Sequence, residues 1–183
     1  MQTSAVTFAT KMRAHVALAS ADVERSIAFY SELFETEPTK VRRAVVEAGE
    51  DAAVASGTAI YAKFELAEPP LNLTLNFAKD APKQRSPAHF GVQVKSTGEV
   101  MTKRATMARA GFAARAEVGV GCCYAVQDKV WFEDPDANAW EVFVVTEADI
   151  PEHSRPAVSV EGTAGVGIEA STDEACCSPG CCA

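Results

Sequence analysis

The sequence predicts an α+β protein made of two tandem βαβββ modules, and three observations lead there. Two short strand-like segments, residues 14–19 and 89–94, each carry a histidine near their start. Each is followed by a capped amphipathic helix. Two or three further strand-like runs follow each helix before the pattern restarts or ends. A repeat on this scale constrains the fold more than any single motif.

The elements follow in order. Residues 1–13 read as an N-terminal extension, and residues 14–80 as the first module. Ser20 and Asp22 are cap-type residues ahead of a helix whose apolar face is Val23, Ile27, Tyr30, Leu33 and Phe34, and Pro38 lies beyond its end. Residues 42–59, rich in Ala, Gly and Glu, read as a surface insertion with some helical character. Residues 61–66 and 71–75 alternate as half-buried strands, broken by Pro69 and Pro70. A polar, proline-containing linker leads to the second module, residues 88–147. There Ser96 and Glu99 have capping-box spacing, and Gly111 suits the end of the helix. Strands are expected around residues 123–127, 129–133 and 140–145, with Asp134-Pro135-Asp136-Ala137-Asn138 as the turn between the last two. Residues 148–183 read as a flexible, Cys-rich tail.

Composition narrows the partners. The chain has 183 residues, 48% of them hydrophobic, enough to bury a core, and a net charge of −8 that disfavours nucleic acid and anionic membrane surfaces. No apolar run is long enough to span a bilayer, and the N-terminus lacks a secretory pattern. The six cysteines fall in three adjacent pairs, which is not the spacing of an extracellular disulfide framework. The expected compartment is the cytoplasm.

The chemistry concentrates in two places. Cys122 and Cys123 are adjacent, with Cα atoms about 3.8 Å apart, below the usual span of a disulfide. They read either as small buried hydrophobes or as two thiols for one soft acceptor such as Cu(I), Cd(II), Zn(II) or trivalent arsenic. His15 and His89 sit at matching positions of the two repeats, and Glu141 follows the 134–138 turn at the start of the last strand. If the modules form a metal-binding cleft, these three make a two-histidine, one-carboxylate set with open positions, suited to Fe(II) and also to Mn(II) or Zn(II). Otherwise a strand histidine is a structural residue and a strand glutamate faces solvent.

Several segments resemble the vicinal-oxygen-chelate superfamily of glyoxalase, bleomycin-resistance and extradiol dioxygenase proteins. They are His15-Val16-Ala17-Leu18, Ser26-Ile27-Ala28-Phe29-Tyr30, His89-Phe90-Gly91-Val92, and Asp134-Pro135-Asp136 with Trp140-Glu141-Val142. Within it, Glu37-Pro38-Thr39-Lys40-Val41, the run from Glu68 to Asn76 and the run from Cys122 to Trp131 resemble the ArsI/CadI branch. The resemblance covers about residues 12–147. It implies an Fe(II)-dependent carbon–arsenic lyase that uses O₂ as co-substrate and converts trivalent organoarsenicals to inorganic arsenite. By the same resemblance His15, His89 and Glu141 would hold iron, and Cys122 and Cys123 would hold arsenic. The alternative is a resistance protein that sequesters cadmium or arsenite without turnover, and the chain is expected as a monomer or homodimer. Ala137 replaces the glycine usual in the turn, with Asn138 expected to take the left-handed position. Cys176, Cys177, Cys181 and Cys182 read as accessory thiols or as part of a dispensable tail.

Overall fold

The computed structural model describes residues 9–10, 12–46, 54–81, 89–122, 124–149 and 158–160. The chain divides into two compact units, Met1–Pro82 and Lys83–Ala183.

The first unit runs β1 (Ala14–Ser20), α1 (Val23–Phe34), β2 (Lys40–Arg43), β3 (Ala59–Leu66) and β4 (Leu71–Phe77), in a sheet ordered β1-β4-β3-β2. Strand β1 pairs parallel with β4, and the other pairs are antiparallel. Helix α1 starts where Asp22 accepts the Arg25 amide at 3.1 Å. Its buried face is Val23, Ser26, Phe29, Tyr30 and Leu33, while the expected face members Ile27 and Phe34 are half-buried. That face packs on β3 and β4, where Phe64, Leu73 and Leu75 are buried. Each such side chain contributes about 1.5–3 kcal/mol through burial. Because side chains alternate along a strand, the opposite face of this sheet carries His15, Asn72, Thr74, Lys63 and Glu65.

The second unit repeats the plan: β5 (Phe90–Gln93), α2 (Thr97–Arg109), β6 (Ala114–Cys122), β7 (Ala125–Glu133) and β8 (Ala139–Glu147). Its sheet order is β5-β8-β7-β6, extended by β9 (Val158–Val160) alongside β6. Residues 158–160 thus add a strand from within the segment read as tail. Ser96 and Glu99 cap the helix as the spacing suggests, with the second bond displaced by one residue: the Ser96 hydroxyl accepts the Glu99 amide at 3.2 Å, and the Glu99 carboxylate accepts the amide of Lys95, just before the cap, at 3.0 Å. At the other end Gly111 adopts φ 89, and Phe112 N donates to Met107 O at 3.0 Å, a Schellman closure.

Two expectations about strands change. Residues 125–133 form one strand in place of the expected 123–127 and 129–133, and an unexpected strand, β6, runs up to Cys122. Cys122 ends β6 with Ala125 as its register partner, so Cys122 borders the tip of the β6–β7 hairpin, and Cys123 lies outside the described residues. In the turn after β7, Ala137 itself has φ 65, so Asn138 does not take the left-handed position. Asn138 instead anchors the turn, its amide donating to Asp134 Oδ1 at 2.8 Å and its side chain to Oδ2 at 2.8 Å.

Candidate functional site

Two of the expected site residues meet within the second unit. His89 immediately precedes β5, Glu141 lies on β8, and the parallel register pairs Gly91 with Glu141. His89 Nε2 is 3.5 Å from Glu141 Oε1. Glu141 is buried, and its Oε2 accepts no aligned hydrogen bond among the described residues. Gly91 makes room for it: a Cβ there would stand 3.2 Å from both Cγ and Oε1 of Glu141.

Strand β7 supplies the surroundings. The 134–138 turn sets Trp131 opposite Glu141 and Lys129 opposite Phe143, which puts Lys129 diagonal to the carboxylate on the same face. Lys129 is buried, with Nζ 3.2 Å from Glu141 Oε2. That contact is an ion pair by distance, yet it lacks hydrogen-bond alignment at Oε2. The Trp131 ring lies edge-on to His89 with centroids 5.1 Å apart, and Lys129 Nζ is 5.4 Å from its centroid. Glu117, the fully buried register partner of Lys129, is paired with Arg115.

In the first unit His15 Nδ1 is 3.0 Å from the Asn72 carbonyl oxygen. Nδ1 must donate in that contact, which leaves Nε2 as the lone-pair nitrogen, the arrangement that metal-bound histidines use. Two residues after His15, Ala17 pairs with Thr74, just as two residues after His89, Gly91 pairs with Glu141. The histidines are therefore equivalent by register, but Thr74 stands where the second unit has its carboxylate. On the same face Lys63 and Arg13 lie 3.0 and 2.9 Å from Glu65 Oε1 and hold its carboxyl below the usual carboxylate range, Lys63 being the larger cause.

Among the described residues no three His, Cys, Asp or Glu side chains form a ready metal group. The chemistry of the individual donors nevertheless suits a divalent metal: a tautomer-fixed imidazole, and a second imidazole beside a buried carboxylate. Cys122 closes β6, and the next described residue, Tyr124, has φ 64 and is 58% exposed. Cys123, Cys176, Cys177, Cys181 and Cys182 lie outside the described residues. Lys129, Gly91 and Trp131 are site residues that sequence reasoning missed. The signal for the two β7 residues was the hairpin register, which follows from the position of the turn. No described helix is long and apolar enough to cross a membrane.

Comparison with known proteins agrees with this architecture. Residues 13–142 match the model of the Glyoxalase/Bleomycin resistance protein/Dioxygenase superfamily. The chain is 41% identical over 142 residues to the trivalent organoarsenical cleaving enzyme of Bacillus sp. (strain MD1), covering 77% of each chain. It is 35% identical over 133 residues to the cadmium-induced protein CadI of Mycobacterium bovis, covering 73% of this chain and 76% of the relative. Among solved structures, the fosfomycin resistance protein FosX of Listeria monocytogenes, complexed with Mn(II) and sulfate, shares the fold. Its TM-score is 0.51 at 17% identity, over 76% of this chain and 91% of that one.

Proposed function

The chain belongs to the Glyoxalase/Bleomycin resistance protein/Dioxygenase superfamily, in the branch of the organoarsenical cleaving enzymes and CadI, and from this we propose that it cleaves the carbon–arsenic bond of trivalent organoarsenicals. The observation that carries the reading is the 41% identity, over 77% of both chains, to a relative named for that activity. The proposed substrates are methylarsenite and trivalent aromatic arsenicals, the product is inorganic arsenite, and the role is detoxification.

The residues divide the work. Cys122 and Cys123 would exchange the oxygen ligands of trivalent arsenic for two thiolates, turning a bimolecular encounter into a positioned one. His15, His89 and Glu141 would hold Fe(II). Bound there, iron would supply the O₂ chemistry that bond cleavage needs, with O₂ as co-substrate. The Asn72 carbonyl keeps the His15 tautomer correct for ligation, and Gly91 keeps the space Glu141 occupies. The four C-terminal cysteines would capture or hand over arsenic as accessory thiols.

The test is an aerobic reaction of the Fe(II)-loaded full chain with methylarsenite and with an aromatic substrate, with arsenic species separated by chromatography and an anaerobic control alongside. The expected result is inorganic arsenite whose formation needs both iron and oxygen. His15→Ala, His89→Ala and Glu141→Ala should lose turnover yet still bind arsenical. Cys122→Ser or Cys123→Ser should weaken substrate binding while iron still loads. Normal turnover in both cysteine variants would end the thiol-anchoring model. A second reading, sequestration of cadmium or arsenite, is favoured by the CadI relative, and stoichiometric arsenic retention with no product would select it.

A further inference from the structure

We infer that Lys129 is a positioning residue for Glu141. Its ammonium occupies Oε2 and leaves Oε1, on the His89 side, as the oxygen offered to a divalent metal. The inference rests on the metal-site reading above. Three contacts carry it. Lys129 Nζ lies 3.2 Å from Oε2, and His89 Nε2 lies 3.5 Å from Oε1. The Glu141 side chain approaches Gly91 so closely that a Cβ there would stand 3.2 Å from its Cγ and Oε1. The carboxylate therefore lies against the β5 backbone with its two oxygens turned to different partners.

The placement is not that of an ordinary strand lysine. The side chains of Lys129 and Glu141 are 3% and 9% exposed, so neither can exchange its partner for bulk water. The ammonium is further confined 5.4 Å from the Trp131 ring. Burying a lysine costs desolvation, and a cation beside a metal site opposes metal binding. Such a residue is useful if what matters is the mode of ligation rather than its strength. A carboxylate with both oxygens free can chelate through both and fill a coordination position. A carboxylate held at Oε2 donates one oxygen and leaves that position for exchangeable ligands.

This predicts that affinity and activity move in opposite directions. The apo full chain is titrated with Mn(II), free Mn(II) being read by electron paramagnetic resonance and metal-bound water by proton relaxation. Lys129→Met should bind Mn(II) more tightly, by about tenfold, with less relaxation enhancement per bound ion. Its kcat on methylarsenite should fall by about tenfold with KM little changed. Lys129→Arg should restore wild-type affinity and relaxation. Gly91→Ala, which displaces Glu141 from the other side, should weaken Mn(II) binding. If Lys129→Met does not fold, Lys129→Leu carries the same expectations. Wild-type affinity and relaxation in the Lys129 variant would overturn the inference, as would loss of affinity together with loss of melting temperature, the mark of a structural role. Wild-type protein that binds no Mn(II) removes the metal site and the inference together. Wild-type protein that binds Mn(II) but cleaves no arsenical refutes only the lyase reading, because the Mn(II) measurements still decide the role of Lys129.

Discussion

Ala137 holds φ 65 in the β7–β8 turn, a conformation that costs an L-residue with a Cβ about 1–2 kcal/mol. The turn stays in place because Asp134 gathers the Asp136 and Asn138 amides and the Asn138 side chain, so local hydrogen bonds outweigh the strain. Ala137→Gly should stabilise the protein by about 0.5–1 kcal/mol, the relief of strain being partly offset by the added freedom of glycine in the unfolded chain. A higher urea midpoint at unchanged slope is the expected readout. A lower midpoint would mean that the Ala137 methyl makes contacts worth more than the strain. Residue identity alone told which turn this is but not which of its residues takes the left-handed place. The same limit applied to Lys129: a lysine in an alternating strand reads as solvent-facing, and only its register against Glu141 shows otherwise.

Strand β6 shows what periodicity could not reveal. Its sequence, with Ala114 and Ala116 before Glu117 and Gly119 and Gly121 after it, has weak strand propensity and no apolar run, so nothing marks it before the cysteines. Strand β7 suffered the opposite error, since the expected strands 123–127 and 129–133 leave a break at Asp128 in its middle. The structure explains that polar centre. Asp128 accepts from Thr97 Oγ1 at 2.6 Å and from Gly119 N at 2.8 Å, tying the first turn of α2 to the irregularity in β6. One carboxylate thus fixes the hairpin that carries Cys122 relative to the helix behind it. Asp128→Ala should destabilise the protein by about 1–3 kcal/mol by leaving those donors unpaired. Faster hydrogen exchange at the Gly119 amide is the local signature to measure; an unchanged rate would mean that Asp128 does not hold the hairpin. Strands β1 and β8 and both helices, by contrast, were legible because caps and apolar spacing agree there.

At the scale of the molecule, the repeat was the most legible feature, and the division of labour between its copies was the least. Both units place a histidine two residues before the position that faces the parallel partner strand, yet one partner strand offers Thr74 and the other Glu141. Nothing in the spacing of the histidines distinguishes the copies; the register does. The terminal cysteines are tested on the same scale. Truncation after Ala175, assayed by arsenic species and by apparent affinity, should raise KM for methylarsenite while leaving kcat unchanged, and an unchanged KM would assign the tail no part in capture. The parallel pairing of β5 with β8 carries a consequence for biosynthesis. Phe90 cannot find Trp140, nor His89 approach Glu141, until the second unit is almost entirely synthesised. Its first strand waits with an open edge while the helix and two intervening strands emerge, which makes this long-range closure a slow step of folding. A ribosome-bound chain stopped before β8 therefore holds His89 without Glu141, so the proposed metal ligation in this unit must wait for that strand.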